Sequence, residues 1–244
     1  MGQVATIAKR EMTSMFYSPI AYVAISAFLF VMGIIFAIFV FHPSAISEMR
    51  YLFIGARYVL FLVVPLTTMG LFSEEFKTGR MEMLRTSPLS PSSLVIGKFI
   101  GGLAFCVVII ATILLHVLLL AIFGGPDYRA VAASFLGLML LGSMYVSIGL
   151  FFSACTQDQL VAAVGTLITL GLMNLIGDVI SWFGDRLPIY AWIKTAATQA
   201  TVGVHLEDFS KGIVDVVHAV YFVSVAAFFV FLTYLVLESR NWRR

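Results

Sequence analysis

The chain has 244 residues, 61% of them hydrophobic and 11% charged, with a formal net charge of +2. A soluble domain carries roughly 25% charged residues, so the composition excludes a wettable globular exterior and leaves lipid to cover most of the surface. The near-balanced charge points away from nucleic acid and from strongly acidic partners, and the length suits one compact membrane domain, 1–244.

From the N-terminus, Val4, Ile7, Ala8, Met12, Met15 and Phe16 recur at helical spacing, with Lys9, Arg10 and Thr13 elsewhere around the turn. This predicts an amphipathic helix lying in the membrane interface. The segment lacks the apolar core and cleavage site of a signal peptide, so the first membrane helix is expected to serve as the signal. A hydrocarbon core of about 30 Å takes roughly 20 apolar residues as helix. Six stretches answer to that, at 20–41, 54–73, 99–123, 131–153, 160–182 and 216–237. Ser18 and Pro19 open the first as N-cap and first helical residue. The second must accommodate Arg57 near its end, and Gly124, Gly125 and Pro126 close the third. The expected class is therefore an all-α membrane protein of six transmembrane helices.

Cys106 falls inside the third span and Cys155 in the short connection after the fourth, so no disulfide framework is expected. An even number of crossings puts both termini on one side. The N-terminal segment, the loop after the second span, the 154–159 loop and the tail hold nine Lys and Arg, and the opposite face holds six. The positive-inside rule then makes both termini cytoplasmic.

The loop after the second span is densely charged: Glu74, Glu75, Lys77, Arg80, Glu82 and Arg85 lie within it. Gly79 suits the end of a helix continuing out of the span. Thr78 or Gly79 then caps a short second helix with Glu82 near its positive end. Pro88 stops that helix, and Ser90 and Pro91 start the next. The spacing fits a stub helix of about two turns, and it fits an ordinary solvated loop as well.

Glu74, Glu75, Gly79, Glu82, Leu84, Pro88 and then Gly97 and Lys98 resemble the cytoplasmic signature of ABC-2 type transporter permeases, closest to the gliding-motility (GldF-like) and NosY-type subunits. Lys9, Arg10 and Glu11 ahead of Ser18 and Pro19 are similar to that family's amphipathic entry helix. Ser153, Thr156 and Gln159 resemble its second cytoplasmic turn. The run from His205 through Phe209, Gly212, Asp215 and Tyr221 resembles its C-terminal part, as does Glu238 to Arg243. Together these cover the whole chain in order. Arg80 departs from the pattern, standing where the family more often has a small residue such as Thr.

The resemblance implies the membrane half of an ATP-binding-cassette exporter in the bacterial cytoplasmic (inner) membrane. Its partners would be cytoplasmic ATPase subunits that bind ATP and Mg, a second permease copy or a related chain, and an accessory membrane protein with an extracytoplasmic part. The stub helix, with Glu74, Glu75, Lys77, Gly79, Arg80, Glu82, Leu84 and Pro88, would be the coupling helix, and Thr156 and Gln159 the second contact. The sequence holds no phosphate-binding loop of its own, so no cofactor is expected on this chain. Four scattered histidines supply no catalytic or metal constellation.

Asn174 and Asp178 lie four apart on the fifth span and so share a face. That face reads as part of a path or dimer contact, or Asp178 sits at the outer interface beside Trp182. His218 reads as a packing histidine. Trp192, Ile193, Ala196, Ala197 and Ala200 suit a short helix at the outer leaflet, with Trp192 and Lys194 as candidates for an outer gate. Two other classes compete: an ion-gradient transporter or channel, which would want buried carboxylates at mid-membrane, and a scaffold that recruits a soluble partner without transport.

Overall fold

A computed structural model describes residues 2–40, 49–81, 90–123, 125–184, 192, 195 and 199–242. The described residues are helical throughout, with short connections and no strand. Helix α1 is Gly2–Tyr17, and α2 is Pro19–Ile35, prolonged by a π-helical turn, Phe36–Val40. The second span is α3, Arg50–Thr68, followed after a break at Met69 by α4, Gly70–Lys77. The third is α5, Pro91–Ala111, with α6, Ile113–Phe123. Then come α7, Tyr128–Cys155, α8, Gln159–Gly184, the short α9, Val202–Ser210, and α10, Val216–Trp242. Six of these stretches are long and apolar enough to cross a membrane.

The helix starts follow from local chemistry. Ser18 Oγ accepts the Ile20 N–H, and Ser90 Oγ accepts the Ser93 N–H, each with proline at the first helical position. Asp127 caps α7 in the same way. The second span begins earlier than expected, at residue 50, because Arg50, Tyr51 and Arg57 are compatible with helix although they interrupt the apolar run. Helix α5 begins at Pro91, where Ser90 and Pro91 mark a helix start, about two turns before its continuous apolar stretch. Cys155 is the last residue of α7, not part of the connection that follows.

The centre of the bundle is α7, which packs on α3, α4, α5, α8, α9 and α10. Its buried face carries Leu138, Leu141, Met144, Tyr145, Ile148 and Leu150, and Phe28, Leu52, Phe105 and Ile109 complete the surrounding core. The opposite assignment holds for α8 and α10. Leu160, Val164, Ile168, Leu172, Val216, Val220 and Phe231 are all exposed, as expected of helices facing hydrocarbon.

Helix α1 is more than an interfacial float. It lies against α5, where a Cβ on Gly97 would stand 2.7 Å from the Ile7 Cβ, and one on Gly101 would stand 2.7 Å from the Glu11 Cβ. Two glycines four apart leave a groove into which the α1 backbone settles. The residues that α1 buries most are Ile7 and Glu11, one apolar and one charged.

Candidate functional site

Glu11 is buried because a lysine waits for it. Lys98 on α5 is 1% exposed, and its ammonium lies 3.0 Å from Glu11 Oε1 and 3.0 Å from Glu75 Oε1. It also donates to the Leu71 carbonyl at 2.6 Å. Arg10 Nη2 reaches the same two carboxylates, at 2.9 and 3.3 Å. Two cations and two anions therefore compensate one another across α1, α4 and α5. A charge this deep stays ionised only with such partners. The Lys98 ammonium also stands 5.1 Å from the centre of the Phe72 ring. Glu75 Oε2 is buried without a hydrogen-bond partner among the described residues.

Above this cluster the charged loop departs. Helix α4 ends at Lys77, Thr78 Oγ1 donates back to the Glu74 carbonyl, and Gly79 takes a positive φ of 69°. That left-handed turn is the reason for glycine at this position. Arg80 then folds back, its guanidinium 2.8 Å from Glu74 and its Nε donating to Thr78. The residue that departs from the expected pattern therefore has an intrachain partner. Glu82, Leu84 and Pro88 lie outside the described residues.

The break between α3 and α4 is closed from another helix. Ser153, in the last turn of α7, accepts the N–H groups of Phe72 and Ser73 at 2.9 and 3.1 Å and donates to the Met69 carbonyl at 2.8 Å. It caps α4 across the bundle and satisfies donors that the helix start would otherwise orphan. Arg240 of α10 donates to the Cys155 carbonyl at 2.8 Å and lies 4.4 Å from the centre of the Phe76 ring. Thr156 Oγ1 accepts the Asp158 N–H in the connection itself, and Gln159 opens α8 beside Gly70. The base of the charged loop is thus bound to α1, α5, α7 and α10 at once.

The remaining candidates sit elsewhere. Asn174 is buried and donates to Tyr145 Oη at 2.7 Å and to the Leu170 carbonyl at 2.8 Å. Its side chain packs against α7 inside the chain. Asp178 lies in α8, and its side chain is outside the described residues, as is Lys194. Trp192 is helical and 70% exposed. Ile193, Ala196 and Ala197 of the expected outer helix also lie outside the described residues.

At the end of the bundle opposite Lys77 stands a second polar group that the sequence reading missed. His205 of α9 stacks on Tyr221 of α10, with ring centroids 3.9 Å apart. Its Nδ1 is 2.7 Å from His218 Nδ1 and its Nε2 is 2.7 Å from the Gln199 carbonyl, while His218 Nε2 is 2.8 Å from Asp208. The Gln199 carbonyl calls for an N–H on His205 Nε2, and His218 Nε2–H can serve the Asp208 carboxylate. Burial holds the His205 imidazole below the ordinary histidine range, opposed by its bond to Gln199, with the neighbouring His218 lowering it further. Helix α9 itself was legible in principle: Val202, Leu206 and Phe209 recur at positions i, i+4 and i+7 and are all buried.

A helical bundle of six stretches long and apolar enough to cross a membrane, with α4 braced from four other helices at one end, defines a multi-pass membrane protein. Residues 2–197 match the family model described as ABC-2 type transporter. The chain belongs to this family, whose members are the permease components of ABC transporters. A comparison with curated proteins gave no match.

Proposed function

We propose that this chain is the permease subunit of an ABC exporter in the bacterial cytoplasmic membrane, driven by separate ATPase subunits that bind ATP and Mg. Both termini and the loop after the second span would face the cytoplasm. That loop, from Glu74 to Pro88, would dock in the ATPase, with Thr156 and Gln159 close by. A second permease, identical or related, would complete the path. The order of motifs favours the gliding-motility (GldF-like) or NosY-type branch, in which an accessory membrane protein is also expected.

The observation that carries this reading is the bracing of the loop base. A loop that only connects two spans has no need of a buried ion cluster on one side and a serine from another helix on the other. A projection that must pass force into the bundle does, because displacement at its tip is otherwise absorbed at its root. The braces join the loop to α1, α5, α7 and α10, so movement there reaches four helices.

The test is purification of the tagged chain from native membranes in mild detergent, with the eluate assayed for vanadate-sensitive ATP hydrolysis. A co-purifying ATPase that is lost on replacing Glu82 and Leu84 by alanine supports the reading. Clean preparations without ATPase from several detergents would overturn it and favour a scaffold or a gradient-driven carrier.

A further inference from the structure

Arg57 lies two turns into α3 from the end opposite the charged loop, about 10 Å along the helix axis. It is 8% exposed. No carboxylate pairs with it among the described residues. Its guanidinium meets Tyr58, by a hydrogen bond to the phenol oxygen and by a ring contact at 4.4 Å. Its Nε is buried with no hydrogen-bond partner among the described residues. An arginine in a membrane span without a counter-charge is costly, and such residues mark sites of function.

The cleft that Arg57 lines also contains Arg50, Thr201, Gly203 and Glu207. Arg50 and Arg57 are seven apart, so they lie on one face of α3. Arg50 gives Nη2 to Glu207 at 3.1 Å, while its own Nε is buried and without a partner among the described residues. Glu207 is further neutralised by Lys211 at 3.0 Å. Two arginines, each with a buried Nε–H that has no acceptor among the described residues, therefore line one cleft.

The start of α9 faces the same cleft. Thr201 is its N-cap residue. Gly203, in the first turn, is where the backbone approaches the guanidinium: a Cβ there would collide with Arg57 Nη1. A helix start offers backbone N–H groups and a partial positive charge, and both favour an oxyanion.

We propose that Arg57, Arg50 and the first turn of α9 bind a phosphate group. Arginine forks match the geometry of phosphate oxygens, and each charge-assisted bond is stronger than a neutral one. The depth of Arg57 below the helix start is within reach of the phosphate layer of a membrane lipid, since the headgroup region is several ångströms thick on each side. The phosphate comes either from an anionic lipid headgroup or from solution. The inference does not depend on an ATPase partner, and its test contains none.

The full-length chain is placed in nanodiscs of phosphatidylcholine alone or with phosphatidylglycerol, and amide hydrogen exchange is followed at residues 202–204. Inorganic phosphate is added to the phosphatidylcholine discs as a third arm. Slowed exchange with phosphatidylglycerol only identifies a lipid phosphate. Slowed exchange with inorganic phosphate as well identifies a site open to soluble phosphate. Unchanged exchange in all three overturns the proposal. Native mass spectrometry of phosphatidylglycerol retention gives a second readout, in which Arg57→Gln loses about tenfold in affinity, the worth of one charged hydrogen bond. Arg129→Gln, at an exposed position at the same end of the bundle, leaves retention unchanged. If R129Q loses as much as R57Q, general surface charge is responsible and the proposal fails. The exchange measurement on the unaltered chain decides the matter even where R57Q does not fold.

Discussion

Lys98 and Glu11, 87 positions apart in the chain, meet at 3.0 Å with the lysine almost wholly enclosed. The pair pins the N-terminal helix to the third span and, through Glu75, to the root of the charged loop. Replacing Lys98 by methionine leaves two carboxylates buried with only the half-exposed Arg10 between them. Breaking a buried pair from one side typically costs about 3–5 kcal/mol. Lys98→Met is therefore expected to lower the melting temperature of the purified chain sharply. Adding Glu11→Gln and Glu75→Gln should restore most of it, because the orphaned charges disappear together. A triple variant no more stable than Lys98→Met would show that the ion cluster is not what Lys98 supports.

The groove formed by Gly97 and Gly101 makes a separate demand on α1. A side chain at Gly101 would press on the Glu11 Cβ at 2.7 Å and on the Ala8 carbonyl at 3.1 Å, and the second of these is backbone that cannot turn aside. Overpacking of this kind costs about 1–3 kcal/mol. Gly101→Val is expected to lift α1 from α5 while leaving the six spans folded. Maleimide labelling of a cysteine placed at Ile7, which is 5% exposed, should then rise to the rate of one placed at Lys9. Labelling that stays slow at position 7 would mean that the two helices are held together by something other than this groove.

What could be read from the residues divides along physical lines. The six spans were legible because burial in lipid demands long apolar runs, and serine followed by proline marks two of the helix starts plainly. The charged loop was recognisable from the order of Glu74, Gly79, Glu82 and Pro88. The bracing was not. Arg10, Lys98 and Ser153 each sit in a recognisable motif, but nothing in their spacing says that they meet the same short helix, because that depends on how α1, α5 and α7 pack. Arg57 reads as a charge tolerated near the end of a span until its surroundings are seen. Asn174 and Asp178 share a face by spacing, but the bond from Asn174 to the phenol of Tyr145 depends on how α8 packs against α7.

Acid should loosen the end of the bundle that carries α9. In the native packing His205 is held below the ordinary histidine range chiefly by burial. The unfolded chain therefore binds more protons than the folded one as the pH falls through and below about 6.5. Stability contributed by the neutral His205 is present above that value and is lost as the pH falls towards the depressed folded value. A proton added to His205 would also crowd its 2.7 Å contact with the His218 ring, with Asp208, Glu207 and Lys211 as the nearby charges. Thermal unfolding followed between pH 7.5 and 5 should show a fall in melting temperature that His205→Phe reduces, because the ring would keep its stacking on Tyr221 without titrating. An equal fall in both proteins would place the acid sensitivity elsewhere.

Ser153 offers a test of whether the root of the loop is mechanically important or merely well packed. One hydroxyl accepts two backbone N–H groups and donates to one carbonyl, all at the junction where the second span is interrupted. Ser153→Ala keeps the volume nearly constant and removes all three bonds. Unsatisfied buried groups cost about 1–3 kcal/mol each, so the variant should be less stable by an amount of that order, and Ser153→Thr, which retains a hydroxyl, by less. The more telling measurement is hydrogen exchange at the amides of Phe72 and Ser73. If Ser153 is their acceptor, exchange there should speed up in Ser153→Ala far more than at Leu141 in the middle of α7. Where an ATPase co-purifies, its hydrolysis should continue in this variant while transport-linked changes in the spans weaken, since a slack root absorbs the stroke. Uniformly faster exchange along α7 would instead mean that the substitution loosened the whole helix, and the local bracing argument would fall.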